Sequence, residues 1–443
     1  MSELADLIRS GPGRGLEFVT LAELQKRTGY PASKITMFAL SEMLCNSLDT
    51  DATEIQLEAE SADGFHRLTI RDNGSKRISS EDLRLILDFT NKASSKRGFL
   101  RVSRGYLGNA LKCIFGYSYA LAEAAGVTPP EIIVTSHGSE YRVNLHPDRV
   151  SEVIKSDIRV SETGNDRFNV FIVSFPEAVV QVSREEMLDL IQATSMVNLN
   201  RRITFNLWGA EGSLGSGDGG GQLRRETSIL WYTPKEFGAL FHDYLRARPD
   251  TPLRDFISLF RGFTAKDRIG EILQDLNSSR NHDSHRADVQ FFPATPISLL
   301  HEADVAGLFH TMKGRAKPIS KRSIPQVLGT VGQEAFERCR ERNQWERLRY
   351  IQIMDEENDE GSRSFPYVIE LAVFDRGKGD AQGLKVFQCV NFMASMEDIF
   401  SKLFDIKYRL GLVGITPEMP VTVLAHLVCP VLKWLNYGKS GFY

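Results

Sequence analysis

Nowhere does the sequence space two cysteines as CxxC; Cys45, Cys113, Cys339, Cys389 and Cys429 are its only five in 443 residues. Scattered in this way, they exclude a zinc ribbon and a disulfide-stapled scaffold. They read as buried thiols in a reducing compartment. No apolar run of about 18 residues occurs, which excludes a spanning helix of ordinary length. The start, Met1-Ser2-Glu3-Leu4-Ala5-Asp6, lacks the basic stretch of a secretory leader. The sequence reads as intracellular, cytoplasmic and soluble, with no membrane partner. An excess of one charge is missing too. Lys+Arg number 54 against 57 Asp+Glu, a formal net charge of −3, so any DNA contact has to come from a local basic patch.

What is present is globular patterning, 42% hydrophobic and 25% charged, at a length beyond one ordinary core. Two or three domains are expected. Residues 1–32 hold a short helix, Leu21 to Arg27, closed by Thr28-Gly29-Tyr30-Pro31. Over 33–208, strands are expected at 54–60, 66–72, 131–136, 140–145, 168–175 and 202–207. Helices are expected at 35–50, 80–90, 108–124 and 184–196. This alternation gives a mixed sheet with helices on one face, an α/β sandwich.

Gly209 to Gly221 carries seven glycines in thirteen residues. Lacking the GK[ST] ending of a phosphate-binding P-loop, it reads as part of a linker over 209–223. A helical segment over 224–324 opens helices at Pro234 and Pro252. Arg246, Arg248, Arg254, Arg261, Lys266 and Arg268 give it a local basic excess, either a DNA-facing surface or an ordinary solvated helix pair. The last unit, 325–443, is again α/β. Phe365–Phe374 and Lys385–Phe392 read as paired strands around Gly377-Lys378-Gly379, before an amphipathic helix (396–408) and a strand (421–428).

Three motifs carry chemistry. Glu42, Asn46 and Asp49 stand at i, i+4 and i+7, on one face of a helix whose apolar stripe is Met37, Leu40, Leu44 and Leu48. An amide oxygen is a hard ligand suited to Mg²⁺, and a carboxylate one turn away can take a proton from water. Alone, such a pair is more often solvated helix surface. The alternating run Arg67 to Arg71 then ends in Asp72-Asn73-Gly74, by itself an ordinary turn signal. Finally Ser103-Arg104-Gly105-Tyr106-Leu107-Gly108-Asn109-Ala110-Leu111-Lys112 runs from a glycine loop into an apolar segment, a pattern in which backbone N–H groups can approach phosphate.

The order of the three, Glu42-x-x-x-Asn46, Asp72-Asn73-Gly74 and Arg104-Gly105-x-x-Gly108, resembles the nucleotide-binding boxes of the GHKL ATPases, which include gyrase and MutL. "EMLCNSLD" and "SSKRGFLRVSRGYLGNALK" are most similar to the B subunit of DNA topoisomerase VI. The resemblance covers roughly 20–208 and continues more loosely to the C-terminus. It implies a GHKL (Bergerat) ATPase domain, a small helix-two-turns-helix region around "YTPKEFGALFHDYL", and a transducer-like α/β domain around "LKVFQCVNFMASMEDIF".

The resemblance also implies ATP and Mg²⁺ as ligands, and a role for each matching residue. Glu42 would polarise the attacking water and Asn46 would hold Mg²⁺. Asp72 would accept the adenine amine and Gly74 would let the base approach. Arg104, Gly105, Tyr106, Leu107, Gly108, Asn109 and Ala110 would cover the phosphates, with Lys112 either a phosphate contact or a structural one. Ser94, Ser95 and Lys96 lie in a polar stretch suited to an ATP lid, or to a plain surface loop. Lys439, with Lys433 as runner-up, matches the lysine that reaches the γ-phosphate from the transducer; a solvated lysine is the competing reading. Asp49 fits a supporting role better than a direct one.

Departures are as specific as the matches. After Gly74 the sequence runs Ser75-Lys76-Arg77-Ile78, without the family's second glycine, and its Gly-Thr near adenine is not evident around Thr163-Gly164. The family's B subunits continue past the switch lysine into a long helix that docks the cleavage subunit, whereas this sequence ends at Tyr443, as a truncated product or one not coupled to cleavage. The expectation is an ATP-gated homodimeric clamp working on DNA with an A-type cleavage subunit. The alternatives are a free-standing GHKL clamp in repair, chromosome maintenance or defence, and a nucleotide-sensing scaffold with little turnover.

Overall fold

The computed structural model describes residues 8–10, 15–90, 92–94, 98–104, 109–164, 167–218, 226–280, 290–358, 363–379, 382–396 and 406–432. In chain order the first elements are β1 (Ile8–Ser10), α1 (Leu21–Thr28), α2 (Ile35–Leu48), β2 (Glu54–Ala62), β3 (Phe65–Asp72), α3 (Ser80–Ile86) and β4 (Lys92–Ser94). Next come α4 (Ala110–Ala124), β5 (Ile132–Ser136), β6 (Ser139–Asp148), β7 (Val153–Glu162), β8 (Asn169–Pro176), α5 (Arg184–Met196), β9 (Arg202–Leu207) and β10 (Ala210–Leu214). Eight of these strands form one sheet in the order β10-β9-β2-β3-β8-β5-β6-β7, in which β2 and β9 run parallel and the other pairs antiparallel.

Local chemistry sets the helix ends. Ser79 and Asp82 form a reciprocal capping box at α3, and Gly29, at φ 76, closes α1 in the left-handed conformation. Along β6, Tyr141, Val143 and Leu145 are buried while Arg142 and His146 are exposed, the period-two pattern of a sheet with one wet face. The helices α2, α4 and α5 pack on β3, β8 and β9. The expected α/β arrangement is therefore present. The expected stripe on α2 is not, because burial surrounds the helix and Asn46 alone escapes it. That pattern belongs to a helix between layers rather than on a surface.

The helical segment contains α6 (Pro234–Ala247), α7 (Leu253–Ile257), α8 (Lys266–Arg280) and α9 (Glu302–Arg315), and α10 (Ile324–Leu328) and α11 (Gln333–Arg342) follow it and pack on the second sheet. Thr233 and Glu236 make a capping box at α6, with Pro234 in its first turn. Phe237, Phe241, Phe256 and Phe260 form its aromatic centre, with Phe241 and Phe256 edge-on at 5.2 Å.

The remaining elements are β11 (Arg347–Asn358), β12 (Ser364–Asp375), β13 (Lys385–Val390), β14 (Met393–Ala394), α12 (Ile406–Leu412) and β15 (Val421–Val428). They form a second sheet in the order β11-β12-β15-β13-β14. The strands expected to pair around Gly377 are not neighbours. β15 lies between them, antiparallel to β12 and parallel to β13. β15 is buried along nearly its whole length, and a strand with both faces covered belongs in a sheet interior. The glycine-rich stretch read as a linker also differs: its first part is β10, paired antiparallel with β9. Residues 219–225 lie outside the described residues.

Candidate nucleotide site

The end of β3 and the last turns of α2 meet at Asp72. Asp72 is 3% exposed. Ser47 Oγ, on α2, donates to Oδ2 at 2.8 Å; Gly74 N and Asn169 Nδ2 donate to Oδ1 at 3.0 and 3.3 Å. Burial raises the Asp72 pKa above the ordinary aspartate range, and the three donors partly oppose that shift. A carboxylate offers about four acceptor positions, so one more donor can be accommodated.

The backbone beyond Asp72 is braced on both sides. Asn73 Oδ1 accepts from Thr53 N and Glu54 N at 2.8 and 2.9 Å, and Asp51 accepts from the backbone and hydroxyl of Ser75. Gly74 stands where no side chain fits. A Cβ there would lie 2.6 Å from Thr50 Oγ1 and 2.9 Å from Asp72 Oδ1. Asn169 Nδ2 also donates to Gly74 O at 3.1 Å, and Ser136 Oγ donates to Asn169 Oδ1 at 2.7 Å. Asn169 is held by β8, directly opposite Asp72 in the register.

Glu42 lies on the same helix as Ser47 and is buried at 5% exposure, whereas Asn46 is half-buried. One helix thus carries a buried carboxylate, a more accessible amide and the hydroxyl that orients Asp72. This set can hold a purine amine at one end and a hard cation with its phosphates at the other. The residues present fit ATP and Mg²⁺: an acceptor position remains on Asp72, a Cβ-free backbone stands beside it, and Asn46 offers an amide oxygen.

No family model matches the chain, and no curated protein matches it. Among solved structures, one that is similar is the N-terminal domain of a DNA repair protein, at 11% identity and TM-score 0.41, covering 91% of this chain and 87% of that one. Another is the ATP-binding domain of topoisomerase IV of Francisella tularensis, in complex with a small-molecule inhibitor, at 9% and 0.34, covering 91% and 80%. A third is the B subunit of DNA gyrase from Myxococcus xanthus, at 11% and 0.34, covering 96% and 86%. These are distant likenesses, and no residue's role follows from them.

Arg104, expected to cover the phosphates, is buried among protein acceptors. Its buried guanidinium donates to Leu48 O, Asp49, Asn198 and Phe392 O. Asp49 is accordingly its ion-pair partner at 3.0 Å, the supporting role expected for it. Lys112 is 2% exposed and donates to Asp88 O, so the structural reading is the one its geometry matches. Asn109 is fully buried at the start of α4, and Ala110 is that helix's first residue. Ser94 belongs to β4, which pairs with β1. Ser95, Lys96, Gly105, Tyr106, Leu107, Gly108, Lys433 and Lys439 lie outside the described residues.

The sequence reading missed Ser47, Asn169 and Ser136. Ser47 had a signal, being adjacent to Asn46; the other two become visible only through strand register. The five cysteines are all buried and none forms a disulfide, as expected. Among the described residues no helix is long and apolar enough to cross a membrane. The basic residues of the helical segment are partly engaged: Arg254 pairs with Asp255, Arg261 with Glu226, and Arg268 donates to Gly262 O and Arg315 O.

Proposed function

We propose that the chain is a GHKL-type ATPase resembling the B subunit of DNA topoisomerase VI, acting as an ATP-gated homodimeric clamp on DNA beside a separate A-type cleavage subunit. The observation that carries this reading is the Asp72 constellation. A buried carboxylate, oriented by Asn169 and by Ser47, the neighbour of Asn46 on α2, sits beside a glycine that leaves no room for a Cβ.

In this reading the adenine amine donates to Asp72, while Ser47 and Asn169 keep the carboxylate plane fixed for it. Glu42, one turn before Asn46 and shielded from bulk water, takes the proton of the attacking water. Asn46 would hold Mg²⁺, which when bound supplies charge neutralisation on the phosphates. Gly105 to Gly108 would cover the phosphates, Ser94 to Lys96 would belong to a lid, and Lys439 would reach the γ-phosphate. DNA would be met by local basic groups such as Arg246 and Lys266, both exposed.

Comparing wild type with Glu42→Ala tests the reading. ATP turnover falls by ~100-fold or more if Glu42 is the general base; equal rates would remove it from that role. Sizing the protein with a non-hydrolysable ATP analogue tests the clamp, and a chain that stays monomeric would overturn it.

A further inference from the structure

Arg104 is 4% exposed, and its guanidinium serves four acceptors on three elements. Nη1 donates to Leu48 O at 3.1 Å and Asp49 Oδ1 at 3.0 Å, at the end of α2. Nη2 donates to Asn198 Oδ1 at 2.6 Å, just after α5. Nε donates to Phe392 O at 3.2 Å, in the turn between β13 and β14 of the second sheet.

The same turn is gripped from other sides. Asn198 Nδ2 also donates to Phe392 O at 2.9 Å, and Asn391 Nδ2 donates to Ser103 O at 3.1 Å. Asn391 and Phe392 have φ values of 48 and 65. A bulky Phe rarely adopts that left-handed conformation, so the surroundings must hold it there. Behind the turn, Phe392 N donates to His426 Nε2 at 3.1 Å, and His426 Nδ1 lies 2.9 Å from Glu370 Oε2, both side chains fully buried. Glu370 further accepts from Val331 N, Gly332 N and the Tyr350 hydroxyl. The chain of bonds therefore runs unbroken from β12 to the last turn of α2, where Asn46 stands.

The segment that delivers Arg104 is pinned upstream as well. Leu100 N donates to the Tyr232 hydroxyl at 2.7 Å, and Thr227 Oγ1 donates to Leu100 O at 2.6 Å. Residues 98–104 are thus clasped by the helical segment at one end and by the second sheet at the other.

We infer that Arg104 is a positioning residue that ties the last turn of α2 to the seat of the β13–β14 turn, so that the second sheet sets the geometry of the residues on α2. Its fork is what makes this work. A lysine carries the charge but presents one point donor and cannot span four acceptors. The mechanical part stands independently of any ligand; its consequence for turnover rests on the nucleotide reading above.

Two variants test it in the full chain. Asn391→Gly removes the side-chain grip, keeps the positive φ available and lies on the second sheet. Arg104→Lys removes the fork. Amide hydrogen exchange of residues 45–49 becomes at least ~10-fold faster in both. In Asn391→Gly, kcat for ATP falls ~10-fold while KM stays within about threefold, since the variant touches no part of the candidate site. Unchanged exchange at 45–49 in Asn391→Gly overturns the inference even if Arg104→Lys fails to fold. Faster exchange with unchanged kcat overturns its functional half. A wild type that neither binds nor hydrolyses ATP instead sinks the nucleotide reading, and the exchange result then decides the mechanical half alone.

Discussion

Ser47 Oγ donates to Asp72 Oδ2 across 2.8 Å, joining the helix that carries Glu42 and Asn46 to the strand end that carries the buried carboxylate. The bond fixes how far apart the two ends of the candidate site stand. It also acts on charge: burial raises the Asp72 pKa, and Ser47 is the first of the groups that pull it back.

A pH dependence follows. Asp72 is the stronger acceptor for a purine amine while ionised, so adenine-nucleotide binding weakens on acidification as pH falls through its pKa, which burial raises. Ser47→Ala removes a donor to the charged form, raises the pKa further and moves the weakening limb to higher pH. Titrating the Kd of a fluorescent ATP analogue from pH 4.5 to 8 in both proteins checks this. Coincident limbs would mean that Ser47 does not tune Asp72.

Gly74 is required by space rather than by backbone conformation. A methyl group there lies 2.6 Å from Thr50 Oγ1, closer than real contacts allow, so Thr50 or Asp72 has to shift. Gly74→Ala is expected to cost about 1–3 kcal/mol of stability and to weaken nucleotide binding ~10-fold or more. Thr50→Ala in the same chain removes the closest atom and restores part of both. Urea unfolding and analogue binding of the two variants measure it; a neutral Gly74→Ala would show that the loop yields.

The features visible in sequence are those that depend on neighbours in the chain. The helix expected over 35–50 is α2, and the alternation before Asp72 is β3, because helix and strand signals lie within a few neighbouring residues. What stayed hidden depends on pairing across long separations. Asn169 meets Asp72 from 97 residues away, and β15 enters between β12 and β13 although it follows both in sequence. The edge strand β7 was missed because its second half is almost wholly exposed and lacks the apolar alternation that marks a half-buried strand. Arg104 was read as a loop residue by its glycine neighbours, and only the fold brings Leu48, Asn198 and Phe392 to it.

Lys112 gives a prediction that needs no ligand. Burial lowers its pKa from 10.5 to about 8, with Asp88 partly opposing the shift. Below about pH 8 the amine is protonated both in the native state and in the unfolded chain, and the full cost of burying the charge is present. Between about 8 and 10.5 the unfolded chain keeps a proton that the native side chain has shed, so the folded state gains stability as pH rises. Lys112→Met keeps most of the buried stem without the titrating group. The unfolding free energy of wild type minus that of Lys112→Met should therefore rise across this window, by up to ~3 kcal/mol. Urea melts of both proteins at matched pH values give that difference directly, and taking it between the two cancels every other titrating group they share. A difference that stays flat would mean the amine is hydrated in the native state, which would return Lys112 to the residues able to meet a phosphate.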